Sequence, residues 1–416
     1  MAITKLQLTL GASCLTVLMA FCALPPKASA ASHAGKNLYR NLYNFSGDQD
    51  ANGPYGIPVL DAAGNLYGTT DSGGTYGNGT VFQLLRNGDG TWTENVLHSF
   101  NDDGQDGTTP FAGVTLDSAG HVYGATVYGG AYGYGVVFQL SPNGDGTWAE
   151  DILHAFNADG QDGFFPYGDL LLDESGNLFG TTAGGGSSGD GTFFELSPQG
   201  GGQWTEKILY SFQGGGDGDL PFSGLTRGPA GTLYGVTSIG GFEDFGTVFQ
   251  LTPKQDGTWT EKVIHTFKDD SRDGLLPEND LVLDSAGRLY GSTPFGGAGG
   301  EGVVFRLTPK SDGHWREDIL QSFSFQGRIG AVPGALAFDA AGSLYGVADE
   351  GGAAGAGTLF KLRHTRAGWQ AIVQHTFANH PGATPVTMIF DGRGHFFGTT
   401  AGEDSSSHGG VFEFIP

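Results

Sequence analysis

The chain has 416 residues, with 44 Asp and Glu against 20 Lys and Arg, 75 glycines and two cysteines. A formal charge of −24 repels phosphate backbones and anionic lipid surfaces, which argues against nucleic acid as a partner. Cys14 and Cys22 both fall in the first thirty residues, so the remainder can form neither a disulfide nor a thiolate metal site.

Met1 to Lys5 gives a short basic start, and Leu6 to Leu24 is mostly apolar and uncharged. Pro25, Pro26 and Lys27 break that run, and Ala28-Ser29-Ala30 supplies small residues for cleavage. This is the order of a secretory signal peptide. Residues 1–30 are therefore expected to be removed, leaving 31–416 as a single domain that is secreted, extracellular or periplasmic. Without Lys5 and Lys27, 18 Lys and Arg face 44 Asp and Glu, a net charge of −26. No later stretch approaches the roughly 20 apolar residues needed to span a bilayer, so no membrane insertion is expected. A monomer is the expected state.

From Leu66-Tyr67-Gly68-Thr69-Thr70 onward the chain repeats itself. The aromatic of this segment returns at Tyr123, Phe179, Tyr234, Tyr290, Tyr345 and Phe397, in steps of 56, 56, 55, 56, 55 and 52. Seven repeats of this length mark a repeat architecture. The first contains four strand-like pieces: Ile57–Leu60, Asn65–Thr70, Thr80–Leu84 and Trp92–Phe100. Asp61-Ala62-Ala63-Gly64 joins the first two. The same spacing recurs at Asp117, Asp173, Asp284, Asp339 and Asp391, whereas repeat four has Gly228-Pro229 instead. Asp bonds its own turn backbone and Gly accepts the positive φ of a short hairpin.

All six tryptophans occupy one repeat position, and each precedes a recurring Phe by eight residues, as Trp92 precedes Phe100. A residue type present in nearly every repeat is expected to pack one sheet on the next. His98, His154, His265 and His375 also share a position, filled elsewhere by Tyr210 and Gln321. They too read as structural, because catalysis needs one arrangement once.

The last repeat ends at Gly410-Val411-Phe412-Glu413-Phe414 and lacks a fourth strand, while Leu42-Tyr43-Asn44-Phe45 matches Leu97-His98-Ser99-Phe100. The opening segment is thus an orphan fourth strand. Pairing it with the last repeat leaves no exposed edge. The prediction is an all-β, seven-bladed β-propeller with four antiparallel strands per blade, closed by the N-terminal strand.

The succession of L-Y-G-T-T, a Gly-Gly pair, G-T-V-F-x-L and L-H-S-F resembles the GloVer tandem repeat of exported bacterial proteins that use varied anchors. It is clearest at 66–84, 122–140, 233–251 and 289–307. The resemblance implies an extracellular address and no defined activity. Members often end in a sorting signal, and this chain stops at Ile415-Pro416 without one.

In a propeller, the loops joining strand four to strand one and strand two to strand three share a face, where function usually sits. The first such loop, Asp48-Gln49-Asp50-Ala51-Asn52-Gly53, spaces Asp48, Asp50 and Asn52 like the oxygen ligands of a Ca²⁺ loop. Degraded versions begin at Asp103, Asp159 and Asp217. The competing reading is that Asp and Gly are good turn residues. Tyr55, Phe111, Tyr167 and Phe222 take one repeat position on this face, replaced by Glu278, Pro333 and Pro385 in later blades. A half-ring of aromatics there could stack on sugars or simply pack on the adjacent blade.

Carboxylates gather in later loops at Glu243, Asp244, Glu301, Asp349, Glu350, Glu403 and Asp404, with Lys268, Arg272, Arg328 and His380 near in loop order. No catalytic motif stands out, so no catalytic residue is assigned. The expected role is a binding or scaffold module for a surface glycan or another exported protein. The alternatives are an extracellular polysaccharide hydrolase or lyase and a purely structural surface protein.

Overall fold

Each Asp-x-x-Gly segment closes its hairpin as its chemistry dictates. The Gly64 amide donates to the Asp61 carbonyl at 3.0 Å, Asp61 Oδ1 accepts the Asn65 amide at 2.8 Å, and Gly64 has φ +87°. Repeat four reaches the same geometry through a 3₁₀ turn at Pro229–Gly231, whose Pro229 carbonyl accepts the Thr232 amide at 3.1 Å. The structure, a computed structural model, describes residues 37–47, 50–366, 368–378, 384–402 and 407–416.

Around these turns the chain forms, among the described residues, seven four-stranded antiparallel sheets. In the first blade the strands run Val59–Leu60, Leu66–Thr70, Thr80–Arg86 and Trp92–Ser99, from the axis outward. The second strand is wholly buried, in keeping with the unbroken Leu-Tyr-Gly-Thr-Thr run. Innermost strands are shorter than expected in blades one to five and longer in six and seven, at Ala331–Phe338 and Thr384–Phe390. In blades two and four, the Gly113 and Gly224 amides are taken by Asp169 and Asp280 of the following blade. The ladder starts only beyond them.

The last blade is completed by Leu38–Asn44, which pairs antiparallel with Gly410–Ile415 from Leu38↔Ile415 to Asn44↔Gly410. A register shift falls between Asn41 and Tyr43, the same place in the outer hairpin as the shift at Val81/Phe82 in blade one. The closing strand therefore reproduces an ordinary fourth strand, bulge included. Two-residue ladders such as Ala51–Asn52 with Ser72–Gly73 tie the four-to-one loop to the two-to-three loop. Those loops share one face.

Blades adhere through phenylalanine. The Phe ending each fourth strand meets a third-strand Phe of the next blade edge-on or tilted, from Phe45–Phe82 (5.0 Å) and Phe100–Phe138 (5.2 Å) to Phe377–Phe412 (5.5 Å). All seven interfaces carry such a pair. Tryptophans pack backward, with Trp315 against Tyr234 and Trp204 against Tyr123. The packing role expected of the repeated aromatics is the one observed.

Beside the rings, five interfaces carry a polar clasp. A fourth-strand Tyr or His faces an Asp of the next four-to-one loop and a Glu of the next fourth strand. Tyr43 Oη donates to Glu94 Oε2 at 3.1 Å and to Asp50 Oδ2 at 3.4 Å, and Tyr210 Oη donates to Asp217 at 3.0 Å. Burial, reinforced by the adjacent Asp carboxylate, pushes Glu94 up to about 8 and Glu261 up to about 9. The fold thus prefers these groups protonated. A carboxyl raised on folding stabilises most below its unfolded value, and that stability is lost as pH rises through the folded value. Wild type in chelator should therefore melt several degrees lower at pH 9.5 than at pH 6. Glu94→Gln/Glu261→Gln, which mimics the protonated pair, should narrow that gap when followed by circular dichroism. An identical gap in both proteins would count against proton storage at these clasps.

Candidate ligand site at the channel mouth

The start of the innermost strand in every blade borders one axial cavity of about 370 Å³ on the loop face. Tyr55, Phe111, Tyr167 and Phe222 line one side of it. Tyr55 stacks on Phe111 (5.0 Å, 12° between planes), Phe111 meets Tyr167 edge-on (5.8 Å), and Tyr167 meets Phe222 at 4.6 Å. The half-ring is a continuous aromatic wall. Its rings pack on one another and still open to the cavity, with Phe111 39% exposed. Burial and the neighbouring Tyr128 hydroxyl raise the Tyr167 phenol, which keeps it a neutral donor.

Glu278, Asn279, Asp280 and Asp349 of the fifth and sixth blades line the cavity as well, and Asp169 lines it on the wall's own side, two residues after Tyr167. Asp169 Oδ1 accepts the Gly113 amide at 2.6 Å, and Asp280 Oδ1 accepts the Gly224 amide at 2.7 Å. A methyl placed on Gly224 would meet both Asp280 Oδ2 and Asp169 Cβ, at 3.0 and 3.1 Å, so these two groups flank one glycine. Each is partly exposed but ringed by protein, and that burial raises both carboxyls. The charge of Asp280 adds to the rise at Asp169. Asp349 too is held above the usual carboxylate range, by burial and by Glu350, and its Oδ1 has no hydrogen-bond donor. A buried carboxyl lacking donors is poised to accept a ligand hydroxyl or share a proton.

The other candidates are distributed differently. Asp48 lies outside the described residues. Asp50 spends Oδ2 on the Ser46 amide and hydroxyl and on Tyr43, and Oδ1 on the Ala51 amide, while Asn52 donates to Ser72 Oγ. In the loops beginning at Asp103 and Asp159 the leading Asp caps a turn, as Asp103 Oδ1 accepts the Gln105 and Asp106 amides, and the second, Asp106 or Asp162, is buried at the blade interface. Asp217 instead accepts the Tyr210 hydroxyl. Of the later-loop carboxylates, Asp349 alone lines the cavity among the described residues. Glu243 Oε2 instead accepts the Asp269 amide at 3.3 Å on the surface, and Glu403, Asp404 and His380 lie outside the described residues. Lys268 and Arg272 border a separate depression with His265, Asp273 and Glu317.

Sequence reasoning missed Asp169 and Asp280. Both stand two residues after the half-ring position, where other blades carry Ile57, Gly113, Gly224, Ala335 and Thr387. Two carboxylates among small and apolar residues at one repeat position were the available signal.

Residues 32–241 and 226–416 match the profile of the Gloeobacter/Verrucomicrobia repeat. No curated protein matches the chain. Among solved structures, an extracellular domain named as part of a one-component system from B. thetaiotaomicron superposes with a TM-score of 0.55 at 14% identity, covering 92% of this chain and 42% of that one. A second extracellular domain from the same organism, named as part of a hybrid two-component system, gives 0.53 at 11% identity, covering 91% and 39%. This chain thus spans about two fifths of the length of either. A chain named as a 6-phosphogluconolactonase from Bacteroides uniformis gives 0.48 at 15% identity, covering 77% and 83%. At these identities the likeness is one of fold. Among the described residues, no helix is long and apolar enough to cross a membrane.

Proposed function

The chain belongs to the Gloeobacter/Verrucomicrobia repeat family, and from that premise we propose that it is an exported binding propeller whose channel mouth grips a sugar. The observation that carries this reading is an aromatic wall and several carboxyls lining one cavity. A saccharide presents apolar C–H faces to rings and hydroxyls to carboxylates. The cavity also falls in the range of small-molecule sites, about 300–1,000 Å³. Exposed Tyr128 lies beside the wall, with its ring 5.2 Å from Phe165, and offers a bound chain a path outward. Export would follow cleavage after Ala30, and the N-terminal residue of protein recovered outside the cell would check it.

Calorimetry with a panel of neutral oligosaccharides tests the sugar reading. Tyr55→Ala and Tyr167→Ala should each weaken binding at least tenfold, about 1.4 kcal/mol or more, while melting stays cooperative. Failure of every saccharide to bind, or variants that bind like wild type, would sink it. The neighbouring raised carboxyls of Asp169 and Asp280 favour a second reading, an extracellular enzyme in which one carboxyl acts as an acid. Release of reducing ends by wild type, lost in Asp169→Asn and Asp280→Asn, would select that reading over binding alone.

A further inference from the structure

Three of the five clasps place an imidazole nitrogen where the other two place a phenol. His98 Nε2 lies 3.0 Å from Asp106 Oδ2 and 3.6 Å from Glu150 Oε2. His154 Nε2 lies 3.1 Å from Asp162 Oδ2 and 3.8 Å from Glu206 Oε2, and His265 Nε2 lies 3.6 Å from Asp273 Oδ2 and 3.4 Å from Glu317 Oε1. In each cluster the three donor atoms fall within 4.8 Å of one another. We propose that these clusters are structural sites for a divalent transition cation of the zinc type, each pinning one blade to the next.

The donor set suits such an ion. One imidazole and two carboxylates are hard-to-borderline ligands, and the two carboxylates neutralise a dication. Four-coordinate ligands held about 2.0–2.2 Å from zinc sit roughly 3.3–3.6 Å from each other. The observed separations straddle that range. Burial adds a second argument, since the three Asp side chains are more than nine-tenths buried. His265 Nε2 is buried without a hydrogen bond although two carboxylates face it, and Glu317 Oε1 is also unpaired. That nitrogen is spaced for a shared cation rather than for a proton donated to either neighbour. Burial also raises Glu150, Glu206 and Glu317, so each cluster needs a positive charge or an extra proton.

Other interfaces supply an internal control. Tyr43 holds the matching Asp and Glu, and Tyr210 the matching Asp, by hydrogen bonds that a neutral phenol can make. At the two interfaces that lack both carboxylates the side chain is committed otherwise: Gln321 accepts the Ala371 amide, and the His375 ring stacks on Tyr39 at 3.9 Å. The cation would be structural, since it recurs at three interfaces and none of its ligands borders the channel.

The test uses the tag-free full chain, stripped with chelator and titrated with Zn²⁺ alone at neutral pH. Bound metal would be read by calorimetry and elemental analysis. We expect about three ions per chain and a melting midpoint that rises with Zn²⁺. His98→Tyr/His154→Tyr/His265→Tyr installs the clasp the protein already uses elsewhere, so it should fold, lose all three ions and melt independently of Zn²⁺. If that variant fails to fold, Glu150→Gln/Glu206→Gln/Glu317→Gln keeps the neutral clasp, removes a ligand from each site and should show the same loss. Wild type that takes up no stoichiometric Zn²⁺, or a folded variant that binds as much as wild type, would overturn the proposal in favour of simple proton sharing or a cation bound elsewhere.

Discussion

Removing Leu38–Phe45 should abolish cooperative folding of the monomer. This segment supplies the outermost strand of the seventh blade, and Phe45 fills a cluster with Leu66 and Phe82 of blade one and Phe397 and Val411 of blade seven. Its loss leaves Gly410–Ile415 as a bare edge and opens a hole at the junction between the first and last blades. Truncating one buried Phe costs about 3–5 kcal/mol. Whole domains are stable by only about 5–15 kcal/mol. Losing Phe45, half-buried Leu42 and a strand's worth of backbone pairing together should exceed that margin. Gel filtration should show aggregates or swapped oligomers, and circular dichroism a broad melt at much lower temperature. The single variant Phe45→Ala should remain folded with a lowered midpoint. A truncated monomer melting within a few degrees of the full chain would show that the ring does not depend on this strand.

Phe249→Ala is expected to cost about 3–5 kcal/mol from the lost burial and the cavity left behind, with the Phe212 edge contact at 5.1 Å lost as well. At roughly 2 °C per kcal/mol for a chain of this size, the midpoint should fall by around 6–10 °C. The same site explains the glycine of the Leu-Tyr-Gly motif. A methyl on Gly235 would come within 2.5 Å of Phe249 Cζ, and every other second strand has the same conflict, as at Gly68 with Phe82. Gly235→Ala alone should therefore destabilise by about 1–3 kcal/mol through overpacking. In the double variant the methyl enters the space the ring vacated, so the two losses should sum to less than their parts. Strict additivity in chemical denaturation would mean that the glycine serves the strand and not the ring above it.

Architecture was legible because it is written seven times. The Tyr67-to-Phe397 spacing, the Asp61-x-x-Gly64 turn and the unmatched strand at Leu42–Phe45 are local patterns, and the observed pairing is the one they imply. The half-ring was legible for the same reason, since Tyr55, Phe111, Tyr167 and Phe222 share a repeat position and blade geometry does the rest. What escaped was any site assembled across blades. Asp169 and Asp280 replace Gly and Ile on strands whose other members only pack, so they read as noise. Asp106 reads as part of a degraded Ca²⁺-type loop or a plain turn and His98 as structural, but their partner Glu150 belongs to the next repeat. Pattern along the chain says nothing about which neighbour a side chain meets when the interface is a rotation between sheets.

The closing hairpin also decides which way the molecule faces when something is fused to it. Leu38 lies opposite Ile415, and this pair sits at the end of the sheet remote from Gly410, where the loops of the channel-mouth face begin. Both strand termini therefore emerge side by side on the underside of one blade. A tether or carrier joined at either point would hold the propeller from beneath, with its cup turned outward and unobstructed. Coupling through the N-terminal end and coupling through the C-terminal end should present the same surface to the surroundings.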